Sequence, residues 1–267
     1  MKKILKLISK NILKTIYGWM AIFVFFALWE IASRLNLLVN PLFLPPFTKI
    51  VKVLWGTMVS GALWKHLFIS LQRSLFGFSA ALAFAIPLGL AVGWFKGFEN
   101  FLNPLLQVFR NTPTLALLPV FVMLFGIGET SKIVVIFWGS FWGVLLNSIA
   151  GVKNVDPQLI RASRSMGTSS IRLFLTVILP ASLPSIFTGI RLAATSSVLI
   201  VTAAEMVGAS KGLGYQLYFY QSNYKFTEMY AYIFVMSIIG VTLNFVLEKI
   251  EKNSFRWRDE AGTSANK

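Results

Sequence analysis

The sequence predicts an all-α polytopic membrane protein of six transmembrane helices, with one short helix on its cytoplasmic face. Three observations lead there. Mean hydropathy is +0.69 and 56% of the 267 residues are hydrophobic. Charged residues make up only 13%, about half the share usual for a soluble domain, which is about 25%. Those charges gather in separate stretches, and long apolar blocks lie between them.

The blocks are taken in chain order. A spanning helix needs about 20 mostly apolar residues. Residues 1–14 are basic and amphipathic, with Lys2, Lys3, Lys6, Lys10 and Lys14. They resemble the n-region of a signal peptide, but no small-residue cleavage site follows the next block. They are expected to be a cytoplasmic start to an uncleaved span at about 15–35. Further spans are expected at about 74–95, 111–128, 133–152, 183–207 and 229–247. The third is short and interrupted by Pro113 and Pro119. A basic tail follows at 251–267. The whole of 15–250 is expected to form one transmembrane domain, with a cytoplasmic loop at 153–182.

Orientation follows from the basic residues, which favour the cytoplasmic side. Both ends are basic, so an even number of spans is expected. With both ends inside, the segments around Lys96–Arg110 and Lys153–Ser182 are also cytoplasmic. The cytoplasmic segments then hold 16 of the 25 Lys and Arg residues. Outside lies a long first loop. Its Leu44-Pro45-Pro46 turn, followed by Ile50, Val51, Val53 and Leu54, predicts an amphipathic helix. Trp55 and Trp64 suit the membrane–water boundary.

The formal net charge of +15 would suggest nucleic acid in a soluble protein. Here the basic residues flank apolar blocks, which excludes that class. There are no cysteines, so disulfides, thiol catalysis and cysteine metal sites are excluded. The one histidine, His66, reads as an interfacial residue with no ligand partners nearby. No metal or cofactor site is expected.

The informative stretch is the cytoplasmic loop, VDPQLIRASRSMGTSSIRLFLTVILPASLP at Val155–Pro184. Asp156 suits a helix N-cap and Pro157 the first helical position. Gly167 suits the left-handed residue that ends the helix near Met166. Thr168 is expected to cap a second helix over Ile171, Leu173, Phe174 and Val177, which Pro180 and Pro184 break. Leu159, Ala162 and Met166 give the first helix an apolar side. Such a knob can seat in a partner's groove, or the loop can simply pack on its own bundle.

This stretch resembles the coupling loop of binding-protein-dependent permeases of the ABC transporter superfamily. The family pattern is Glu-Ala-Ala, three residues, Gly, nine residues, then Ile-x-Leu-Pro. Here it reads Arg161-Ala162-Ser163, Gly167, and Val177-Ile178-Leu179-Pro180. The spacing matches throughout, and Arg161, Ser163 and Val177 depart in residue type. Further stretches are similar to the subgroup that imports sulfonates, taurine or nitrate. They include LFLPP at Leu42–Pro46, RNTPTLALLP at Arg110–Pro119, FGIGETSKI at Phe125–Ile133 and AAEMVGASKGLGY at Ala203–Tyr215.

The resemblance implies the fold of a type I ABC importer permease. It implies two copies of the chain around a central path, an ATPase subunit docked on the 157–166 helix, and an external binding protein. ATP hydrolysis would belong to the separate ATPase subunit, and the chain itself carries no P-loop pattern. The solute implied is an aliphatic sulfonate or taurine, with nitrate or another small solute as alternatives. An ion-coupled secondary transporter is the competing class. It would be expected to show internal repeats, and none is evident.

Polar residues inside spans are candidates for the path. Arg191 is the deepest cation, able to attract an anion or to cap carbonyls. Glu205 reads as a gate or packing residue paired with a cation. Asn147, Thr195, Ser196, Ser197 and Thr202 either line the path or hydrogen-bond between helices. Trp138 and Trp142 read as packing residues.

Overall fold

A computed structural model describes residues 20–35 and 42–255. Residues 1–14, and all but the first five residues of the tail expected at 251–267, lie outside the described residues. So does the start of the expected first span. The described residues are helical throughout, with no strands among them. They form α1 (20–34), α2 (Phe47–Val59), α3 (Ala62–Trp94), α4 (Lys96–Arg110), α5 (Leu118–Phe125) and α6 (Glu129–Lys153). Next come α7 (Pro157–Ser165), α8 (Ser170–Leu173), α9 (Leu179–Met206), α10 (Leu213–Ser222) and α11 (Phe226–Ser254). A 3₁₀ turn, Thr114–Leu117, precedes α5, and a π-helical segment, Phe174–Ile178, precedes α9.

By Cα proximity the chain divides into two compact units. Among the described residues, one holds those up to Leu63 together with Leu217–Phe234, and the other holds Trp64–Gln216 and those from Val235. The first unit is built on aromatic packing. Phe26 stacks on Phe47 with centroids 4.3 Å apart, and Phe26, Trp29 and Phe47 all meet Phe234. The turn into α2 is tied back to α1. Trp29 Nε1 donates to Pro45 O at 3.0 Å, and Thr48 N donates to the Glu30 carboxylate at 3.1 Å. The helix expected after the two prolines is α2, which buries Ile50 and exposes Trp55.

The second unit is organised by small residues. Along α3, Gly77, Ala81, Ala85, Gly89 and Gly93 recur at every fourth position, the spacing that lets membrane helices approach closely. A Cβ added at Gly77 would lie 2.7 Å from Ile136 Cβ. At Gly89 it would lie 2.5 Å from Ser148 Cβ, and at Gly93 2.7 Å from Val152 Cβ. The numbers rise together, so α3 and α6 run parallel. Between α6 and α9 the order reverses. Gly151 abuts Ser182 and Ser185, while Gly189 abuts Asn147, so α9 is antiparallel to α6.

Two parallel neighbours joined by one connection require that connection to recross the unit. It does so in two pieces, Lys96–Arg110 and Thr114–Phe125, bent by 86°. Among the described residues four helical stretches are long and apolar enough to span a membrane, and the bent pair makes five. This corrects two expectations. The 96–110 segment is a 15-residue helix and not a loop, and the expected span at 111–128 supplies only the second piece of a broken crossing. Hydropathy hides α4 because its apolar residues Leu102, Leu106 and Phe109 alternate with polar ones at helical spacing. The break falls at Asn111–Pro113, where Pro113 is extended with ψ 116°. A residue before proline and the proline itself both disfavour continuing a helix.

The expected break at Pro180 and Pro184 does not occur. Ser169, not Thr168, occupies the N-cap position of α8. From Ser170 the chain stays helical to Met206, so the span expected at 183–207 starts earlier. Pro180 lies in the first turn of α9, directly after the π-helical turn, and Pro184 lies inside α9. Widening a helical turn is one way to accommodate a missing N–H donor. At the other end, α11 runs on to Ser254, beyond the expected limit at 247, and an i,i+4 Lys252–Glu248 pair supports its last turns.

The glycine contacts generate a test. Gly89→Val places a branched side chain against Ser148 and should destabilise the protein by at least about 1–3 kcal/mol. Gly97→Ala, where nothing lies within 4 Å of the new Cβ, should leave the thermal midpoint in detergent within a degree or two. Equal midpoints for the two variants would contradict the packing described.

Candidate functional site

The loop between α6 and α9 forms a docked but outward-facing helix. Asp156 caps α7 by accepting from Gln158 N at 2.8 Å, and Pro157 occupies the first turn. Gly167 takes φ +73° and ends the turn, with its N–H on Arg164 O at 2.9 Å and Thr168 N on Ser163 O at 3.3 Å. A side chain at Gly167 would be strained by backbone conformation alone, since nothing lies near its Cβ.

Inside the loop, Val155, Leu173 and Ile178 are buried with Val152, and Ile160, Phe174 and Val177 pack on that cluster with Leu90 and Trp94. Ser163 is buried as well. The opposite side of α7 is bare. Leu159, Ala162 and Arg161 are exposed, and Met166 is 78% exposed. Leu179 opens α9 half-buried, and Pro180 is exposed beside it. The helix therefore packs on its own bundle through one face and leaves the adjoining face exposed.

At the other end of α6 lies an ion-pair network that is buried at Arg73 and Glu205 and reaches the surface at Glu129. Glu205, near the end of α9, has 0% of its surface exposed. Its carboxylate accepts from Arg73 Nη1 at 2.7 Å, Ser70 Oγ at 2.8 Å and Gly214 N at 2.9 Å. Arg73 also grips Glu129 at the start of α6 through Nε and Nη2, both at 2.5 Å, and donates to Lys211 O at 2.7 Å. Ser70 Oγ takes Leu213 N, while His66 Nδ1 takes Gly212 N at 3.1 Å and His66 Nε2 meets the Gln216 amide at 2.7 Å. One guanidinium thus ties together α3, α6, α9 and the 207–212 loop.

Two glycines make the approach possible. A Cβ on Gly212, at φ +123°, would sit 2.3 Å from Glu205 Cδ, and one on Gly214 would sit 2.1 Å from Thr202 O. The KGLGY stretch is shaped around a carboxylate.

Sequence reasoning singled out Glu205 but missed its cation. Starting the second span at residue 74 left Arg73 outside it, whereas α3 begins at Ala62. A lone intramembrane acid was the available signal, since it must find a cation. His66 is likewise a half-buried member of the network, held by Gly212 N and the Gln216 amide.

The other path candidates do not converge. Arg191 Nε lies 3.3 Å from Glu251 Oε2, close enough for an ion pair but without hydrogen-bond geometry. Thr188 Oγ1 donates to the other oxygen of Glu251 at 3.0 Å. Thr195 and Thr202 return their hydroxyls to the carbonyls of Arg191 and Val198 on their own helix. Ser197 bonds Ser74 across helices at 2.7 Å, and Ser196 is half-buried. Asn147 donates to Gly143 O. With Asn154, Ser185 and Thr188 it lines a cavity of about 370 Å³ near the Lys153 end of α6. Trp138 and Trp142 pack with Phe109 and Phe141.

Removing one side of a buried pair leaves an uncompensated charge and costs about 3–5 kcal/mol. Glu205→Ala and Arg73→Ala should each destabilise the protein on that scale. The double substitution should cost clearly less than the two combined. Thermal unfolding of the four proteins in detergent checks this, and simple additivity would contradict the network.

The family described as binding-protein-dependent transport system inner membrane component matches residues 85–256 of the chain. The taurine transport system permease protein of Escherichia coli is 36% identical over 245 residues, covering 89% of this chain and 88% of that protein. The putative aliphatic sulfonates transport permease protein of Bacillus subtilis is 32% identical, covering 91% and 89%. Among solved structures, an inward-facing form of the MetNI methionine ABC transporter superposes with a TM-score of 0.62 at 21% identity, covering 69% of this chain and 92% of that one. The fold is that of an ABC importer permease, and the chain belongs to the family of inner-membrane components of binding-protein-dependent transport systems.

Proposed function

We propose that this chain is the membrane-spanning subunit of an ATP-driven importer for a small sulfonate, taurine being the leading candidate. The observation that carries the coupling role is the two-sided packing of α7. Ile160 and Ser163 hold the helix on the bundle, while Leu159, Ala162 and Met166 present a small apolar knob to a partner. An ATPase subunit is the partner the family implies. Asp156, Pro157 and Gly167 fix the ends of the knob, and Val177, Leu179 and Pro180 connect it through the π-helical turn to α9. A push on α7 would thereby reach a helix that crosses the membrane. Arg161 and Arg164 on the exposed side favour an acidic rim on the ATPase groove.

The Lys153 end of α6 is then cytoplasmic, in keeping with Lys153, Arg161, Arg164 and Arg172 nearby in sequence. Six spans with both termini inside, a second copy of the chain and an external binding protein complete the assembly. The names of the taurine and sulfonate relatives support the solute class. Nitrate is the alternative within the same transporter type.

The test is to reconstitute the chain with its ATPase subunit and binding protein. Leu159→Asp, Met166→Asp and Gly167→Asp should each abolish ATP-driven taurine uptake and the ATP hydrolysis stimulated by loaded binding protein. The Leu159→Asp and Met166→Asp chains should still insert and unfold at the wild-type temperature, whereas Gly167→Asp also strains the left-handed turn and should unfold somewhat lower. Full uptake by Met166→Asp and Leu159→Asp would sink the coupling role.

A further inference from the structure

The broken crossing carries a group that nothing above uses. α4 lies antiparallel along α6. Glu99 pairs with Lys153, Leu102 and Leu106 pack with Leu145 and Ile149, and the Phe109 ring lies 5.3 and 5.9 Å from the rings of Trp138 and Trp142. Just past the break, Thr114 Cγ2 would lie 2.8 Å from a Cβ on Gly139. α6 has 25 residues and at 1.5 Å per residue rises about 37 Å, a full membrane crossing. Trp138 to Trp142 is its middle, so Arg110, which ends α4 beside Phe109, sits near mid-depth.

α4 has three faces. Leu102, Leu106 and Phe109 are turned to the bundle. Phe98, Phe101, Leu105 and Val108 form an exposed apolar stripe suited to lipid. The third face, Lys96, Asn100, Asn103, Gln107 and Arg110, follows helical spacing and is exposed along its whole length. A polar stripe that climbs to mid-depth cannot face hydrocarbon cheaply. An arginine there costs about 2.5–3.5 kcal/mol even on insertion scales. It must border water or a polar surface of another subunit.

Arg110 forms no ion pair among the described residues, whereas Arg73 and Arg191 are both matched to carboxylates. Its neighbours do not use it either. Asn111 Nδ2 and Thr112 Oγ1 close the last turn of α4 on Gln107 O and Val108 O. The guanidinium keeps its planar donor fork, which matches the oxygens of a sulfonate or a comparable oxyanion.

We propose that Arg110 is the anion-binding group of the translocation path, and that the Lys96–Gln107 face of α4 is the aqueous lane from it toward the cytoplasm. The proposal rests on the permease function above and names the residue that recognises the solute's charge.

The test uses the full complex in proteoliposomes, with radiolabelled taurine, ethanesulfonate and nitrate as solutes and ATP hydrolysis followed in parallel. A charged hydrogen bond lost with Arg110→Gln should cut uptake of whichever anion is imported by about tenfold or more. Stimulation of ATP hydrolysis by loaded binding protein should remain. Arg110→Lys, which keeps the charge without the fork, should fall between. Wild-type uptake by Arg110→Gln overturns the proposal. So does a lowered thermal midpoint shared by both variants together with loss of ATPase stimulation, which would mark a structural role. A wild-type complex that imports none of the three anions overturns it along with the solute class. Failure of ATP to drive any uptake would instead overturn the permease function itself.

Discussion

Glycine at positions 77, 89 and 93 lets α3 and α6 approach until an added Cβ on one would overlap side chains of the other. Most of the second unit follows from that contact. Hydrophobic burial cannot drive helix association inside a lipid tail region, so close van der Waals packing must. The contact runs in register, which makes the two helices parallel. Parallel neighbours need a crossing between them, and that crossing breaks at Pro113. The break in turn places Arg110 halfway along α6. A single sequence device, small residues at every fourth position, therefore determines where a charge can stand inside the bundle.

The two ends of α6 behave differently. At the Glu129 end, Arg73, Glu129, Glu205 and the loop carbonyl of Lys211 form one hydrogen-bonded body. Its Arg73–Glu205 pair is buried, and a satisfied buried pair rigidifies a fold, since removing either partner leaves a bare charge. The Lys153 end is lighter. Its loop is held by one apolar cluster and leaves half of α7 free. A rigid Glu129 end and a two-sided helix at the Lys153 end suit the coupling role proposed for this chain.

Much of this was legible from residues alone. Asp156, Pro157 and Gly167 announce α7 because cap and turn chemistry is local. Long apolar blocks announce α3, α6, α9 and α11 in the same way. What stayed hidden depends on partners distant in sequence. Glu205 is visible as an acid in a span, but Arg73 is 132 positions away and was cut off by a hydropathy boundary. α4 was missed because averaging over a window cancels an amphipathic helix, although its period is clear once looked for. Pro180 and Pro184 promised a break, yet tertiary packing and a π-helical turn carried the helix through. Arg191 reads from sequence as the deepest cation, and only the fold reveals that Glu251 lies beside it while Arg110 has no ion pair among the described residues.

As proposed, α4 is a wall of the path whose polar face borders water and whose Phe98–Val108 stripe faces lipid. The chain contains no cysteine, so single cysteines can be introduced without background. The most direct measurement is the labelling rate of Asn100→Cys, Phe101→Cys, Asn103→Cys, Leu105→Cys, Gln107→Cys and Val108→Cys by a charged thiol reagent in the assembled transporter. The account predicts fast labelling at 100, 103 and 107 and slow labelling at 101, 105 and 108. Uniform labelling along the helix, or protection of all six, would contradict it.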